Sequence, residues 1–384
     1  MKIAAVLGLS MLLVGCASAP PMPPAADLFH DDRFAPASTP IDPGAALAIS
    51  DDMRRYVATR ILAGSRFVDR REQLIDALYR KDRLQLEYDT TLTRTAAQAF
   101  EARSGNCLAL VMMTGALAKE MKLAVRYQTV LGDDAWDRSG DLYVAIGHVN
   151  LTLDVRTPQP GFGIPETQPM TVDFVPPPRD ARTPRTREIS ERTLIAMYLN
   201  NRAVESLAAE RVDDAYWWAR EAIRTDPELS SAYITLAVVY RERGLSEFAE
   251  PALRRVLERE PDNTKALGNR ILVLQDLGRG AEADALAPRL ARLEPHPPFS
   301  YFDRGMAALR ERHFEAARSL LAKEVDRAPH HHEFQFWLAV AYLELGDTEH
   351  ATRHLERAMK ISTTPTQRNL YAGKLDRLKA LAPQ

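Results

Sequence analysis

Cysteine is scarce in this chain: 384 residues contain two, Cys16 and Cys107. If one is committed to other chemistry, the second has no intramolecular partner and a structural disulfide is excluded. Charge of one sign is not in excess either. The formal net charge is -2, so no strong field favours nucleic acid as a partner. Beyond the first residues there is no hydrophobic run long enough to cross a bilayer, which takes ~20 apolar residues. The cluster His330-His331-His332 follows Pro329 with no carboxylate or Cys pattern around it. It is expected to be a solvated turn, not a metal site.

The first residues do have a pattern. Lys2 precedes an almost wholly apolar stretch, Ile3 to Val14, which ends in Leu13-Val14-Gly15-Cys16. A charged start, a short apolar stretch and small residues at its end make a cleavable export signal. The ending resembles the lipobox of bacterial lipoprotein precursors. That resemblance implies cleavage before Cys16 and acylation of its thiol and amine, with palmitate-type chains holding the protein to a membrane. The expected location is the periplasmic face of a membrane. Ala17 in place of an aspartate points, by resemblance to enterobacterial lipoproteins, to the outer membrane. Residues 17–50 are rich in Pro and Ala and are expected to form an extended or disordered tether spanning at least ~30 Å.

The C-terminal half is internally repetitive. Pro227, Pro261, Pro295 and Pro329 lie 34 residues apart, as do Ala215, Ala249, Ala283, Ala317 and Ala351. Gly244, Gly278 and Gly346 keep the same register. A small residue permits two helices to cross closely, a glycine ends a helix, and a proline follows the next helix end. This pattern resembles the tetratricopeptide repeat. It implies five helix pairs from about Ala196 to Pro365, a capping helix to Leu381, and a solenoid whose groove takes a protein or peptide partner. The alternative is a repeat array that only clamps the preceding domain.

Between Ser50 and Pro176 the pattern changes. Helices are expected over Arg54–Leu62, Arg71–Tyr79 and Thr95–Arg103. After Ser104-Gly105-Asn106-Cys107, the stretch Leu108–Glu120 is apolar nearly all round, as in a helix buried on every side. Cys107 therefore opens a central helix just after a glycine turn. Helix N-termini carry unpaired N–H groups and partial positive charge, so its thiol pKa is expected to fall. Strands follow with a period of two: Val125–Leu131, Leu142–Val155 and Met170–Phe174. On the second, His148, Asn150, Thr152 and Asp154 share a polar face opposite Val149, Leu151, Leu153 and Val155.

A Cys opening a buried helix, a His on one strand and an Asp on the next resemble the transglutaminase-like domain, a branch of the papain-like cysteine enzymes. The resemblance spans roughly Leu84 to Val175 and rests on Tyr88, the helix Ala96–Arg103, Gly105-Asn106-Cys107, His148-Val149 and Val172-Asp173-Phe174. It implies Cys107 as nucleophile, His148 as base and Asp173 as the residue orienting the imidazole. Asp154 is the competing carboxylate. It lies six residues along the same strand, ~20 Å from His148. Leu108 stands where an aromatic often follows the Cys, Lys122 where a glycine often follows the helix, and Asn150-Leu151 where an aromatic is common after the His.

The fold expected is thus an α+β papain-like, transglutaminase-like domain followed by an all-α tetratricopeptide repeat solenoid. Its divisions are a signal peptide and lipobox over 1–16, a tether over 17–50, the α+β domain over 51–175, a linker over 176–195, and the repeats with their cap over 196–384. The expected activity is hydrolysis of a peptide-like bond through a thioester, with the repeats recruiting substrate or partner and no metal or organic cofactor. The alternative is a non-enzymatic lipoprotein adaptor that uses the repeats as a scaffold.

Overall fold

A computed structural model describes residues 25–63, 68–80, 83–89, 92–131, 135–139, 142–154, 169–174, 185–329, 331–362 and 365–381. The expected signal, Cys16 and the first prolines of the tether lie outside these residues, as do Val155, the Pro176-Pro177-Pro178 run and His330.

Helix α1 (Asp51–Tyr56) continues as a wider turn over Val57–Ile61, and α2 (Arg70–Tyr79) follows. Then come β1 (Glu87–Tyr88), α3 (Ala96–Ala102), β2 (Ser104–Gly105) and α4 (Cys107–Glu120). The strands are β3 (Ala124–Leu131), β4 (Ala135–Ser139), β5 (Leu142–Ile146), β6 (Val149–Asp154), β7 (Met170–Val172) and β8 (Arg185–Ile189). An antiparallel sheet runs in the order β7-β6-β3-β8, β4 and β5 pair as a hairpin, and β1 pairs in parallel with β2.

Every residue of α4 from Cys107 to Ala118 is buried, because β3 and β6 lie against it along with α1, α2 and α3. The turn into α4 is not made by a glycine. Arg103 takes the left-handed conformation, with φ 53°. Gly105 serves close packing instead, since a Cβ there would stand 2.9 Å from the Ala109 Cβ. The strand expected over Leu142–Val155 is broken. It leaves its hairpin at Ile146 and re-enters the main sheet at Val149, so Gly147 and His148 form the joint. The face expected to be polar is covered too: Asn150 and Thr152 are both buried.

The helix pairs begin at α5 (Glu191–Ala208) and α6 (Val212–Thr225). They continue through α7 (Ser230–Glu242) and α8 (Ser246–Arg259), α9 (Thr264–Asp276) and α10 (Gly280–Leu293), α11 (Ser300–Arg310) and α12 (Phe314–Arg327), and α13 (His332–Glu344) and α14 (Thr348–Ile361). A last helix, α15 (Pro365–Leu381), closes the array. The five alanines in register are all buried at the helix crossings. Each turn within a pair holds one left-handed residue, and these keep the 34-residue period: Glu210, Gly244, Gly278, Arg312 and Gly346, with φ between 58° and 79°. Glycine occupies three of the five, where that conformation is free of a Cβ clash.

Two segments differ from expectation. Residues 25–50, expected to be an extended or disordered tether, are folded onto the protein. The Phe34 ring stacks on Tyr216 at 4.0 Å, and His30 stacks on Phe248 at 3.7 Å. The Tyr240 hydroxyl donates to the Leu28 carbonyl at 2.6 Å, and Trp217 Nε1 donates to the Ala35 carbonyl at 2.6 Å. A few aromatic and acidic side chains thus find partners in α6, α7 and α8, which an average over a Pro- and Ala-rich stretch conceals. Within the expected linker 176–195, residues Arg185–Ile189 form β8 against the free edge of β3, and α5 begins at Glu191. Exposed charged residues are common on an edge strand, where they discourage further pairing, and that charge reads as loop.

The first repeats and the α+β unit share one hydrophobic core, which runs from Ala25 to Val273. Two further clusters, around Phe299–Ala341 and Ala339–Leu375, serve the distal repeats. The proximal repeats therefore pack onto the α+β unit, while the distal repeats hold cores of their own.

Candidate functional site

Cys107 is the first residue of α4. Asn106 caps the helix, its side-chain oxygen accepting from the Ala109 amide at 3.0 Å. The sulfur lies against the amides of Leu108 and Val149 and the Tyr88 hydroxyl. Val149 directly follows His148, so the thiol and the imidazole come from adjoining points of the fold. Cys107 is a free cysteine, only 3% exposed. Its thiol is not lowered as the helix N-terminus suggested. Burial pushes it up to about 11, and the two amides and Tyr88 only partly offset this. The negative charge of Asp173 adds to the rise.

His148 Nε2 and Asp173 Oδ1 are 2.8 Å apart, with both side chains mostly buried. Asp173 immediately follows β7 and lies across the sheet from the start of β6. A carboxylate accepts hydrogen bonds, so the tautomer that fits this contact carries its hydrogen on Nε2 and presents Nδ1 as the free ring nitrogen. Asp154 is engaged elsewhere, 2.8 Å from Arg126 on the neighbouring strand. The structure thus brings His148 to Asp173 and sets Cys107 beside the residue next to His148, while Asp154 takes no part.

Asn150 is a residue the sequence did not single out for chemistry. Its Nδ2 donates to Asp173 Oδ2 at 3.2 Å, and it is 3% exposed. The carboxylate is therefore held on both oxygens, by His148 and by Asn150. A signal existed: a polar residue two places after His148 shares its face of the strand.

The His cluster also differs from expectation. His331 is half-buried; its ring stacks on Phe334 at 3.9 Å and meets Phe299 edge-on. Burial lowers it to about 4. His332 Nδ1 pairs with the Tyr371 hydroxyl at 2.8 Å. The apolar neighbours are Phe299, just before α11, and Phe334 of α13, and nothing in the turn itself announces them. Among the described residues, no group of three or more His, Cys, Asp or Glu is placed to hold a metal ion.

Comparison with known proteins bears on the repeats. Residues 302–362 match the tetratricopeptide repeat family. The chain carries tetratricopeptide repeats. Among solved structures it is similar to YrrB, described as a TPR protein with an unusual peptide-binding site, at 22% identity over 47% of this chain and 92% of that one, with a TM-score of 0.25. It is similar to TTC0263, a thermophilic TPR protein of Thermus thermophilus, at 19% identity over 47% of this chain and 98% of that one, with a TM-score of 0.29. It is also similar to MamA at 15% identity over 41% of this chain and 93% of that one, with a TM-score of 0.24. A comparison with curated proteins finds no match.

Proposed function

We propose that this chain is a repeat-based protein-binding scaffold joined to a cysteine hydrolase site of transglutaminase-like type. The scaffold part rests on the tetratricopeptide repeats, whose distal pairs have cores separate from the α+β unit. Stacked repeats of this kind leave an extended surface for a protein or peptide partner.

The hydrolase part rests on one observation, the 2.8 Å contact of His148 with Asp173 beside Cys107. In the proposed reaction His148 Nδ1 takes the Cys107 proton as the sulfur attacks a peptide-like carbonyl. The imidazolium then gives that proton to the leaving amine, and a thioester remains. Water, deprotonated by His148, attacks the thioester; the acid departs and the thiol is restored. Asp173 fixes the imidazole tautomer and stabilises its charged form.

A second reading, a scaffold without turnover, is favoured by the burial of Cys107 and its raised pKa. Incubation with a peptide mixture, read by mass spectrometry, separates the two. Cleavage by the wild type and none by Cys107→Ala supports the hydrolase. Binding by both with cleavage by neither supports the scaffold alone.

Anchoring through an acylated Cys16 belongs to the same proposal. Ala25 comes only nine positions after Cys16, so the folded body would stand within ~30 Å of the lipid attachment.

A further inference from the structure

We infer that α5, the first helix of the repeat array, is a positioning element for Cys107, acting through Thr93 on the Asn106 cap. This rests on the reading of Cys107 as a nucleophile. Helices α4 and α5 are tied at both ends. Lys119, near the end of α4, forms an ion pair with Glu191, the first residue of α5. At the other end, Asn201 and Glu205 of α5 reach the chain beside Asn106. The spacings agree: Cys107 to Lys119 and Glu191 to Glu205 each cover ~18–21 Å of helix. The two helices therefore run antiparallel in matched register.

The contacts at the Cys107 end form a chain. Asn106 Nδ2 donates to Thr93 Oγ1 at 2.8 Å, while its oxygen caps α4. Thr93 Oγ1 also accepts from Asn201 Nδ2 at 3.3 Å. The Thr93 amide donates to Glu205 Oε1 at 2.6 Å, and Arg202 holds the other Glu205 oxygen at 2.9 Å. Thr93 is 1% exposed and Asn106 is 7% exposed, so neither can replace these partners with bulk water at little cost.

Thr93 belongs to no helix or strand, and α5 holds it by both backbone and side chain. It orients the Asn106 amide, and Asn106 sets the first turn of the helix that starts with Cys107. A shift of ~1 Å in that turn moves the sulfur relative to His148, a misplacement that can cost ~100-fold in reaction rate.

The test uses a thiol-reactive peptide probe on the full chain carrying Cys16→Ser, which leaves Cys107 as its single thiol. The quantity read is the factor by which His148→Ala slows labelling, measured in four backgrounds. We expect about tenfold or more in the otherwise unchanged chain and in Thr93→Ser, which keeps the oxygen. We expect less than about twofold in Thr93→Val, which removes it. Leu253→Ala, a core truncation in α8 away from this chain of contacts, calibrates general destabilisation and should retain the full factor. A full factor in Thr93→Val, or its equal loss in Leu253→Ala, overturns the positioning role. The absence of any His148 effect in the unchanged chain overturns the nucleophile reading itself, and the positioning role with it.

Discussion

With Cys16→Ser as the background, the titration of Cys107 can be followed alone. Three N–H or O–H donors surround the sulfur, and the helix N-terminus adds partial positive charge, yet burial outweighs them and raises the thiol to about 11. Against the ordinary value of 9.0, two units mean that at pH 7.5 the thiolate is about 100-fold scarcer than in an exposed cysteine. The alkylation rate with iodoacetamide, measured from pH 6 to 11.5, should therefore climb tenfold per unit through neutrality and bend only near 11. His148→Ala should hardly alter this profile, since the buried sulfur stays protonated through neutrality. A bound peptide probe differs, because it holds its electrophile against the sulfur while His148 takes the proton. The same shift makes a stability statement. The unfolded thiol ionises near 9 while the folded one stays neutral, so stability is full below pH 9 and falls as pH rises towards 11, by up to ~3 kcal/mol. A rate that bends at or below pH 7, and loses that bend in His148→Ala, would refute the claim that desolvation dominates here.

The distal repeats make an opposite titration. His331 is held neutral with a folded pKa of about 4 against an ordinary 6.5, so stability is full above pH 6.5 and falls as pH drops towards 4, by up to ~3 kcal/mol. Thermal melts over that range should show the loss, and His331→Phe should flatten it. Arg312 holds a left-handed position, φ 60°, where three of the other four turns within pairs have glycine. Arg312→Gly should stabilise the fourth repeat by ~1 kcal/mol, read as a raised Tm; an unchanged or lowered Tm would mean that the Arg312 side chain compensates its backbone. Metabolic palmitate labelling should mark the wild type and leave Cys16→Ser unmarked. An unlabelled wild type counts against the anchor.

The repeats were legible because their signals recur: proline, alanine and glycine at one period report the same physical need several times over. Where the need was met by Glu210 or Arg312, the glycine signal vanished although the backbone did not change. The order Cys107, His148, Asp173 could be read because helix and strand periods place side chains on faces. The rise of a strand was enough to place Asp173, and not Asp154, within reach of His148. Contacts between distant segments were not legible. The stacking of Phe34 on Tyr216 joins positions far apart in sequence, and no local composition announces it. The sign of the Cys107 shift failed for a related reason: the helix terminus is visible in sequence, whereas the packing that removes water from it is not. The edge strand β8 was hidden by its own charges.

Labelling of Cys107 by a thiol-reactive peptide probe near neutral pH, in the wild type and in His148→Ala, Asp173→Ala and Asp154→Ala, tests the proposed catalytic site most directly. Folding of each variant is checked by circular dichroism. A working Cys107–His148–Asp173 site predicts selective labelling of Cys107, slowed about tenfold or more by His148→Ala and by Asp173→Ala, and nearly unchanged by Asp154→Ala. Slow labelling that is indifferent to His148 and Asp173 would contradict it and leave the protein as a scaffold alone.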